Sequence, residues 1–465
     1  MKHALRLSAI CLAALGAALL ISGIDTAVAA TLEVANDGVD SAACGSQKTP
    51  CRSISQAIEN ATDGDTIEVG AGLYGDISGS ADFTGPGDEH PQQLGTRDAY
   101  AGCIVCVTKA LHIFSLHGAA TTIIEGLSSA QFSSTVLIHH DGVVFGRAGG
   151  GFTLTGGNQN GLVIDQEMIG SSFGIVLHHN IVVAGNVDLE DQYGFVFNGL
   201  NYRDVQCPDP SCEATAQIMF SGNQAINNTG IGFLVTVGLF RGGPITLQGN
   251  IASGGGTGFE IATGTQDQIN GADFAQNAQL LGNVASHNGA GFVADLPGQI
   301  VGNTASGNSQ FGFLITPGGA AFQDNSAIGN AGPGAIIQFS PDETNLDAIP
   351  HFQSFSKNNF YGNDRNRPAL SLTPVMLLSA ASYNPGPSAG CGVLNVGALA
   401  VILGPFAGGT PPTTNLNAAN NFWGSAQGPQ TNGSADAVGG RCDQNAGATL
   451  AKQFATIPFA ITSLP

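Results

Sequence analysis

The chain has 465 residues, a formal net charge of −20 at pH 7 and 67 glycines, while Asp, Glu, Lys and Arg together make up only 10% of it. A strongly acidic chain lacks the basic stripe that nucleic acids require, and it is repelled by anionic lipid surfaces. With so few charges, the exterior must consist mainly of Asn, Ser, Thr and Gln, a polarity that suits hydroxyl-rich ligands.

The N-terminal segment is typical of a secretory signal peptide over residues 1–30. Lys2 and Arg6 precede the apolar run LSAICLAALGAALLISGI, and the small residues of DTAVAA offer a cleavage site after Ala29 or Ala30. The run is also long enough for an uncleaved membrane anchor, which is the alternative. After cleavage we expect no membrane span, and a location that is secreted, periplasmic or on the cell surface.

Eight cysteines follow the signal peptide, and they fall into couples along the chain. Because an exported chain folds in an oxidising space, we predict four disulfides. The predicted pairs are Cys44–Cys51, Cys103–Cys106, Cys207–Cys212 and Cys391–Cys442. The Cys-x-x-Cys spacing of CIVC is also typical of a zinc site, but no second such pair occurs in the sequence.

Residues 31–75 are predicted to form an N-terminal cap and the first coil of a solenoid. Behind a predicted helix N-cap at Ser53, apolar residues recur at helical spacing at Ile54, Ala57, Ile58 and Ala61. After the turn DGD, Ile67 and Val69 alternate as in a strand. A short helix is therefore expected to cover the open end of the first core layer.

A repeated frame follows over more than a hundred residues. Its anchors, spaced by 27, 33, 20 and 22 residues, are Asn223, Asn250, Asn283, Asn303 and Asn325. A large apolar residue precedes each anchor by three positions, and an alanine follows it by two. Such a period predicts stacked supersecondary units, and the short apolar runs favour β-coils over helical hairpins.

The frame predicts an all-β chain in which residues 76–365 form the coils of a parallel β-helix. Matching side chains of stacked coils form columns inside such a tube, which explains the recurrent Phe and Ala positions. We expect each anchor asparagine to adopt the left-handed backbone conformation at a sharp corner. Its side-chain amide would then join the next one in a structural ladder.

Loops that leave the coils are the expected place for function. Residues 199–215 carry one group of ligand-binding candidates, which are Tyr202, Arg203 and Asp204. Residues 340–367 bring acidic, histidine and arginine side chains together, and the catalytic candidates there are Asp342, Glu343, His351, Arg365 and Arg367. The arginines suit glycan carboxylates, and the acidic groups suit calcium or proton transfer. The alternative is a solvated, salt-bridged loop.

Residues 366–465 are predicted to form a long loop and the closing coil. Either PVMLLSAASY or GVLNVGALAVILGPF is expected to fold back over an apolar stripe outside the coils, formed by Leu234, Val293, Leu314 and Ile336. Trp423, in NNFWGSAQGP, is interpreted as a packing residue, with a sugar-stacking platform as the alternative.

TPCRSISQAIENATDGDTIEVGAGLY, the asparagine-anchored coils and NNFWGSAQGP together resemble the right-handed parallel β-helix proteins of the pectate-lyase-like superfamily, in their secreted bacterial form. The resemblance covers nearly all of the mature chain and implies a right-handed coil. That superfamily contains polysaccharide lyases, esterases, hydrolases and epimerases as well as surface proteins without catalysis. The catalytic motifs of its polygalacturonases, pectin esterases and epimerases are absent, and RNRP matches the pectate-lyase motif only in part.

Two functions remain open from the sequence. The first is an exported β-helix that binds a polysaccharide or cell-surface glycan along an elongated polar surface, without a cofactor. The alternative is a lyase, hydrolase or epimerase of uronate-containing polymers, with calcium as the cofactor of a lyase. An enzyme requires acid, base or arginine groups that converge in one groove, whereas a binding protein requires only a shallow polar row.

Overall fold

Three long sheets run along the molecule, and successive coils of the chain add one strand at a time to each of them. The computed structural model describes residues 29–75, 84–94, 102–127, 133–157, 159–165, 167–169, 174–176, 180–198, 217–236, 244–262, 278–295, 298–339, 352–364, 390–398, 414–429, 436–439, 442–443 and 447–461. Within these residues the long sheets are parallel except at one terminal strand.

The strands are numbered in chain order and grouped here by sheet. Sheet 1 contains β1 (Thr31–Val34), β2 (Thr66–Val69), β6 (His112–Ser115), β9 (Val144–Phe145), β14 (Ile181–Ala184), β17 (Ile218–Ser221), β20 (Ile245–Gln248), β23 (Ala278–Leu281), β26 (Gln299–Val301), β29 (Ala321–Gln323) and β32 (Ser354–Ser356). Sheet 2 contains β3 (Gly72–Tyr74), β7 (Thr122–Glu125), β10 (Thr153–Thr155), β15 (Val187–Leu189), β18 (Gln224–Ile226), β21 (Ile251–Ser253), β24 (Val284–Ser286), β27 (Thr304–Ser306), β30 (Ser326–Ile328) and β33 (Asn359–Tyr361).

Sheet 3 contains β4 (Gln92–Gln93), β5 (Gly102–Val107), β8 (Ser134–Ile138), β11 (Asn160–Ile164), β16 (Tyr193–Asn198), β19 (Ile231–Thr236), β22 (Thr257–Ala262), β25 (Ala290–Asp295), β28 (Phe311–Thr316), β31 (Ala335–Phe339) and β34 (Val393–Ala398). β4 pairs antiparallel with β5. Two small sheets complete the set, an antiparallel pair of β12 (Glu167–Ile169) and β13 (Gly174–Val176), and a parallel pair of β35 (Thr414–Asn417) and β36 (Gly447–Leu450).

The repeated positions meet in the register that the frame predicts, and the parallel β-helix is confirmed. Phe259 lies opposite Phe292, and Phe292 lies opposite Phe313 in the next coil. The rings of successive phenylalanines stack at 4.8 Å between centroids, with interplanar angles of 8° and 9° for these two pairs. This spacing equals the distance between neighbouring strands, so the sheet itself imposes the stack.

Asparagine side chains form a continuous ladder along the corner between sheets 1 and 2. Asn283 Nδ2 donates to Asn303 Oδ1 at 3.0 Å, and the backbone N–H of Asn283 donates to the same oxygen at 2.9 Å. The ladder also extends beyond the five predicted anchors, to Asn186 at one end and to Asn358 and Asn421 at the other.

The backbone at this corner differs from the prediction. The residue before each anchor adopts the left-handed conformation, as at Gly222, where φ is 62°, and Gly282, where φ is 63°, while the anchor asparagines themselves do not have positive φ. Glycine has no Cβ and adopts this conformation at little cost, which leaves the asparagine free to turn its amide inward. A second ladder at the next corner joins Asn308 to Asn330 and Asn330 to Asn363.

The predicted helix α1 (Ile54–Asn60) covers the N-terminal end of the core. Ser53 caps it, since its Oγ accepts a hydrogen bond from the Gln56 N–H at 3.0 Å. Ile54, Ala57 and Ile58 are buried against the first strands of the tube, as their spacing predicts. Trp423 is fully buried and stacks on Phe360, so it is a packing residue of the closing coil.

Three disulfides are present among the described residues: Cys44–Cys51, Cys103–Cys106 and Cys391–Cys442. They are three of the pairs that the sequence predicts, and Cys207–Cys212 lies outside the described residues. Such bonds persist in an oxidising environment. No helix in the described part of the chain is long and apolar enough to cross a membrane. The predicted signal peptide lies outside the described residues up to residue 28.

The outer face of sheet 3 carries the expected apolar stripe, in which Leu314 and Ile336 are buried. Of the stretch GVLNVGALAVILGPF, only residues 392–398 are described, and these have a different position from the one expected. Val393–Ala398, from GVLNVGALAVILGPF, pairs with β31 as the terminal strand of sheet 3, and its Leu394 extends the stripe instead of covering it. Backbone hydrogen bonding at the open sheet end outweighs apolar covering here. PVMLLSAASY lies outside the described residues.

Candidate functional sites

The loop residues predicted from the sequence lie outside the described part of the chain. These are the catalytic candidates Asp342, Glu343, His351, Arg365 and Arg367, and the ligand-binding candidates Tyr202, Arg203 and Asp204. Their neighbour Asp364 is described, and it is buried at a corner where its Oδ2 accepts a hydrogen bond from the Cys391 N–H at 3.0 Å. Asp364 therefore has a structural role, while the predicted site residues remain predictions.

The outer face of sheet 1 presents a polar row over its last five strands. Leu280, Ile300 and Phe322 point into the core, so the residues that alternate with them point outward. The polar members of this outward row, which are exposed or half-buried, are Gln248, Gln279, Gln299, Gln323, Ser354 and Ser356. Gln279 lies in direct register with Gln299, and Gln323 with Ser356. The apolar residues Leu281, Val301 and Ala321 occupy the outward positions between them.

A groove of about 420 Å³ lies at the end of this row, between β32 and β35. Its polar lining consists of Gln353, Ser354, Ser356, Asn415, Asn417 and Asn420. Gln353, Asn415 and Asn417 are exposed, whereas Phe352 is half-buried in the same wall. The groove thus combines amides and hydroxyls with an aromatic edge, and the described residues of its lining include no charged side chain, a chemistry that suits neutral hydroxyl groups.

A charged cluster at the N-terminal cap has a structural explanation. Asp40 forms an ion pair with Arg52 at 2.8 Å and approaches His90 at 3.3 Å. Glu89 is fully buried at the start of α1, where it accepts hydrogen bonds from Ile54 N–H at 2.8 Å and from the Ser55 hydroxyl at 2.6 Å. The cluster therefore ties residues 84–94 to the capping helix.

The pKa values of the two carboxylates in this cluster are shifted in opposite directions. Burial raises the pKa of Glu89 to about 7, although its hydrogen bonds from Ser55 and Ile54 oppose the shift. For Asp40, burial would also raise the pKa, but the hydrogen bonds from His90 and Ser53 and the charge of Arg52 outweigh it and lower the pKa to about 2.

Two further carboxylates lie inside the tube. Asp188, on β15, and Asp191, at the corner that follows, have exposed fractions of 0% and 1%. Burial raises the pKa of Asp188 well above its ordinary value, and the negative charge of Asp191 adds to the shift. Burial also raises the pKa of Asp191, to about 6. Because both groups are enclosed, they cannot act on a polymer bound outside the coils.

Sequence reasoning missed both the groove and the interior pair. The two walls of the groove are about sixty residues apart in the chain, so no local pattern marks them. The interior pair had a detectable signal, because Asn186 extends the anchor frame by one coil and places Asp188 where the later coils have alanine. Comparisons of this chain with protein families, with curated proteins and with solved structures find no match.

Proposed function

We propose that this protein is an exported β-helix that binds a neutral, hydroxyl-rich polysaccharide along the outer face of sheet 1, with the groove between β32 and β35 as the principal site. The observation that carries this proposal is the set of polar, uncharged side chains that the described part of the groove lining presents beside Phe352. Amide and hydroxyl groups exchange hydrogen bonds with sugar hydroxyls, and an aromatic edge packs against the apolar face of a sugar ring.

Continuity between the groove and the polar row supports an extended ligand. Ser354 and Ser356 belong to both, and each of the four preceding strands of sheet 1 carries one outward glutamine, with Leu281, Val301 and Ala321 between them. A polymer with a repeating unit is suited to a surface that itself repeats at about 4.8 Å per coil. Export and membership of the pectate-lyase-like superfamily belong to this proposal. They are supported by the disulfides, by the N-terminal sequence pattern and by the β-helix itself.

The test is affinity electrophoresis of the purified mature protein through gels that contain neutral glycans, pectin or alginate. We expect retardation in a neutral glycan, and at least a tenfold weaker retention for Gln353→Ala/Asn415→Ala, which corresponds to about 1.4 kcal/mol. Both side chains are exposed, so the replacement leaves the core intact. Gln192→Ala is the matched control, because Gln192 is an exposed amide on a turn away from sheet 1.

Three results would contradict the proposal. One is equal retention of the double variant and the wild type. Another is retention by charged polymers alone. The third is release of reducing ends or of unsaturated uronate during incubation, which would establish the enzyme alternative instead.

A further inference from the structure

The interior of the tube departs from its own repeat at one coil. Along sheet 2 the inward position is alanine in five successive coils, Ala225, Ala252, Ala285, Ala305 and Ala327. In the coil before Ala225 this position is Asp188. The second asparagine ladder is also interrupted in this coil. Five residues after the anchors Asn223 and Asn283 the chain has asparagine, at Asn228 and Asn288. Five residues after Asn186 it has Asp191 instead.

Glycines lie next to these carboxylates, in a column that is also glycine in the later coils, as at Gly232 and Gly258. A Cβ atom on Gly161 would overlap Asp188 Oδ1, and one on Gly194 would lie 3.0 Å from Asp188 Oδ2. A Cβ atom on Gly157 would lie 3.1 Å from Asp191 Oδ2 and 2.9 Å from Thr135 Oγ1, so these two oxygens face the same space. Thr135 itself occupies the position that is glycine in the next coil, opposite Gly161.

The Gly157 N–H lies close enough to Asp191 to oppose the effect of burial on its pKa. Even so, five buried side-chain oxygens of this cluster make no hydrogen bond of ordinary length and angle among the described residues. They are Asp188 Oδ1, both carboxylate oxygens of Asp191, Thr135 Oγ1 and Asn228 Oδ1. Asn228 donates its amide to the other oxygen of Asp188, which joins it to the same cluster. The side chains concerned are all at least 98% buried. Buried polar atoms are almost always satisfied in native proteins, so a group of five without such hydrogen bonds requires an explanation.

The regular coils show which ladder hydrogen bonds are missing in this coil. Asn308 donates to Ala285 O at 3.2 Å and to Asn330 Oδ1 at 2.9 Å, and its own Oδ1 accepts from Asn288 N–H at 3.0 Å. Alanine and asparagine at residues 188 and 191 would complete both columns without any buried charge. Two adjacent carboxylates in a dry interior instead cost free energy unless a positive charge compensates them.

We propose that Asp188, Asp191, Thr135 and Asn228 form an internal binding site for a hard divalent cation, with calcium as the best-suited ion. All available donors are oxygens, from carboxylates, a hydroxyl and an amide carbonyl, which is the ligand set that calcium takes and that thiol- or imidazole-seeking metals do not. A proton shared between the two carboxyls would engage one oxygen of each and leave the hydroxyl and the amide oxygen unsatisfied.

No three His, Cys, Asp or Glu side chains come together as metal ligands in the described part of the chain. The proposed site is distinguished by neutral oxygens that complete a pair of carboxylates. Because it is enclosed, the ion enters as the coils form, and it connects the coil of Thr135 to that of Asn228. The site does not depend on the glycan-binding proposal, since it faces the interior of the tube.

The experiment uses the full mature chain with its disulfides intact. Wild-type protein is unfolded in guanidinium and refolded with either calcium or EDTA. Gel filtration then removes unbound ions, and the bound metal and the Tm are measured. We expect one calcium per chain after refolding with calcium, and a Tm several degrees lower after refolding with EDTA.

Asp188→Ala/Asp191→Asn is the informative variant, because it installs the residues of the regular coils and is expected to fold. It should bind no calcium, and its Tm should be the same under both refolding conditions. In EDTA its Tm should exceed that of the wild type. Asp37→Asn, the same change as at residue 191 but at an exposed aspartate, should retain the calcium response of the wild type.

A wild type that refolds without bound calcium, and whose Tm is identical in calcium and EDTA, would overturn the proposal in favour of a shared proton. Calcium that remains in the double variant at one equivalent would also overturn it, because the ion would then bind elsewhere. Asp191→Asn alone provides a second measurement if the double variant does not fold. Loss of the calcium response in that single variant supports the site, and retention contradicts it.

Discussion

Three buried carboxylates in this protein differ in how the surrounding residues satisfy them. Glu89 receives hydrogen bonds from two backbone N–H groups and one hydroxyl at the start of α1. Asp188 receives one from an asparagine amide, and neither oxygen of Asp191 accepts a hydrogen bond of ordinary length and angle among the described residues. Glu89 is thus a structural group that fastens a loop to the cap, while the other two resemble ligands. Burial alone does not distinguish these roles, and hydrogen-bond satisfaction does.

Glu89 should make stability depend on pH. Its folded pKa of about 7 lies above the ordinary value of 4.5. Between these values the folded carboxyl keeps a proton that the unfolded chain has released, so its stabilising contribution is present at low pH and is lost as pH rises through about 7. The loss amounts to roughly 3 kcal/mol at 1.36 kcal/mol per pKa unit.

Urea unfolding of the wild type and Glu89→Gln at about pH 5 and about pH 8 measures this effect, and the difference between the two proteins isolates Glu89 from the other titrating groups. We expect the wild type to lose more stability than the variant on going to the higher pH. Parallel pH profiles for the two proteins would show that Glu89 does not titrate in this range.

At the scale of the element, each coil is a set of three short strands whose corners are held by asparagine. Asn303 is fully buried, accepts from Asn283 N–H and Nδ2, and donates to Leu280 O at 2.8 Å and to Asn325 Oδ1 at 3.1 Å. One side chain therefore serves the coil before it and the coil after it. Strands of three residues are too short to be stable by themselves, so the ladder and the aromatic stack determine their register.

Asn303→Ala should destabilise the protein by about 3 kcal/mol, because it leaves buried donors and an acceptor unsatisfied on both neighbouring coils. Gln192→Ala, at an exposed amide, should change the free energy of unfolding by less than about 0.5 kcal/mol. Guanidinium unfolding curves give both values. A cost for Asn303→Ala below about 1 kcal/mol would mean that water replaces the ladder contacts.

At the scale of the whole molecule, the tube has two ends with different closures. The N-terminal end has α1 and the Cys44–Cys51 bond, and the C-terminal end has Trp423 and the Cys391–Cys442 bond, which joins residues 51 positions apart. In a solenoid each coil contacts only its neighbours, so loss of one closure should loosen the adjacent coils first.

Replacement of Cys391 and Cys442 by serine should cost about 4 kcal/mol, from the chain entropy that the bond removes in the unfolded state. Hydrogen exchange should accelerate first in β34 and β31, while β16 and β19 stay protected. Cys44→Ser/Cys51→Ser is the matched control and should accelerate exchange at β1 and β2 instead. Uniform acceleration along the tube in both variants would indicate a single cooperative unit.

The sequence by itself determined the repeat, the parallel β-helix, the capping helix and the partners of the disulfides that are described. Each of these features depends on spacing along the chain, because stacked coils bring equivalent positions together. The spacing of Asn223, Asn250 and Asn283 identifies which positions are equivalent. The left-handed conformation was predicted for the anchor asparagines, but the residue before each of them adopts it. At this corner one residue makes the turn and the next one, the asparagine, makes the ladder hydrogen bonds.

Only the tertiary structure decided where the candidate sites lie. The groove is formed by Phe352–Ser356 and Asn415–Asn420, two segments that meet because the closing coil stacks on the last strand of sheet 1. The interior cluster likewise draws Thr135, Asp188, Asp191 and Asn228 from three coils. Such contacts depend on the side-chain direction at each corner, which a bulge or one left-handed residue reverses, and sequence spacing alone does not contain that information.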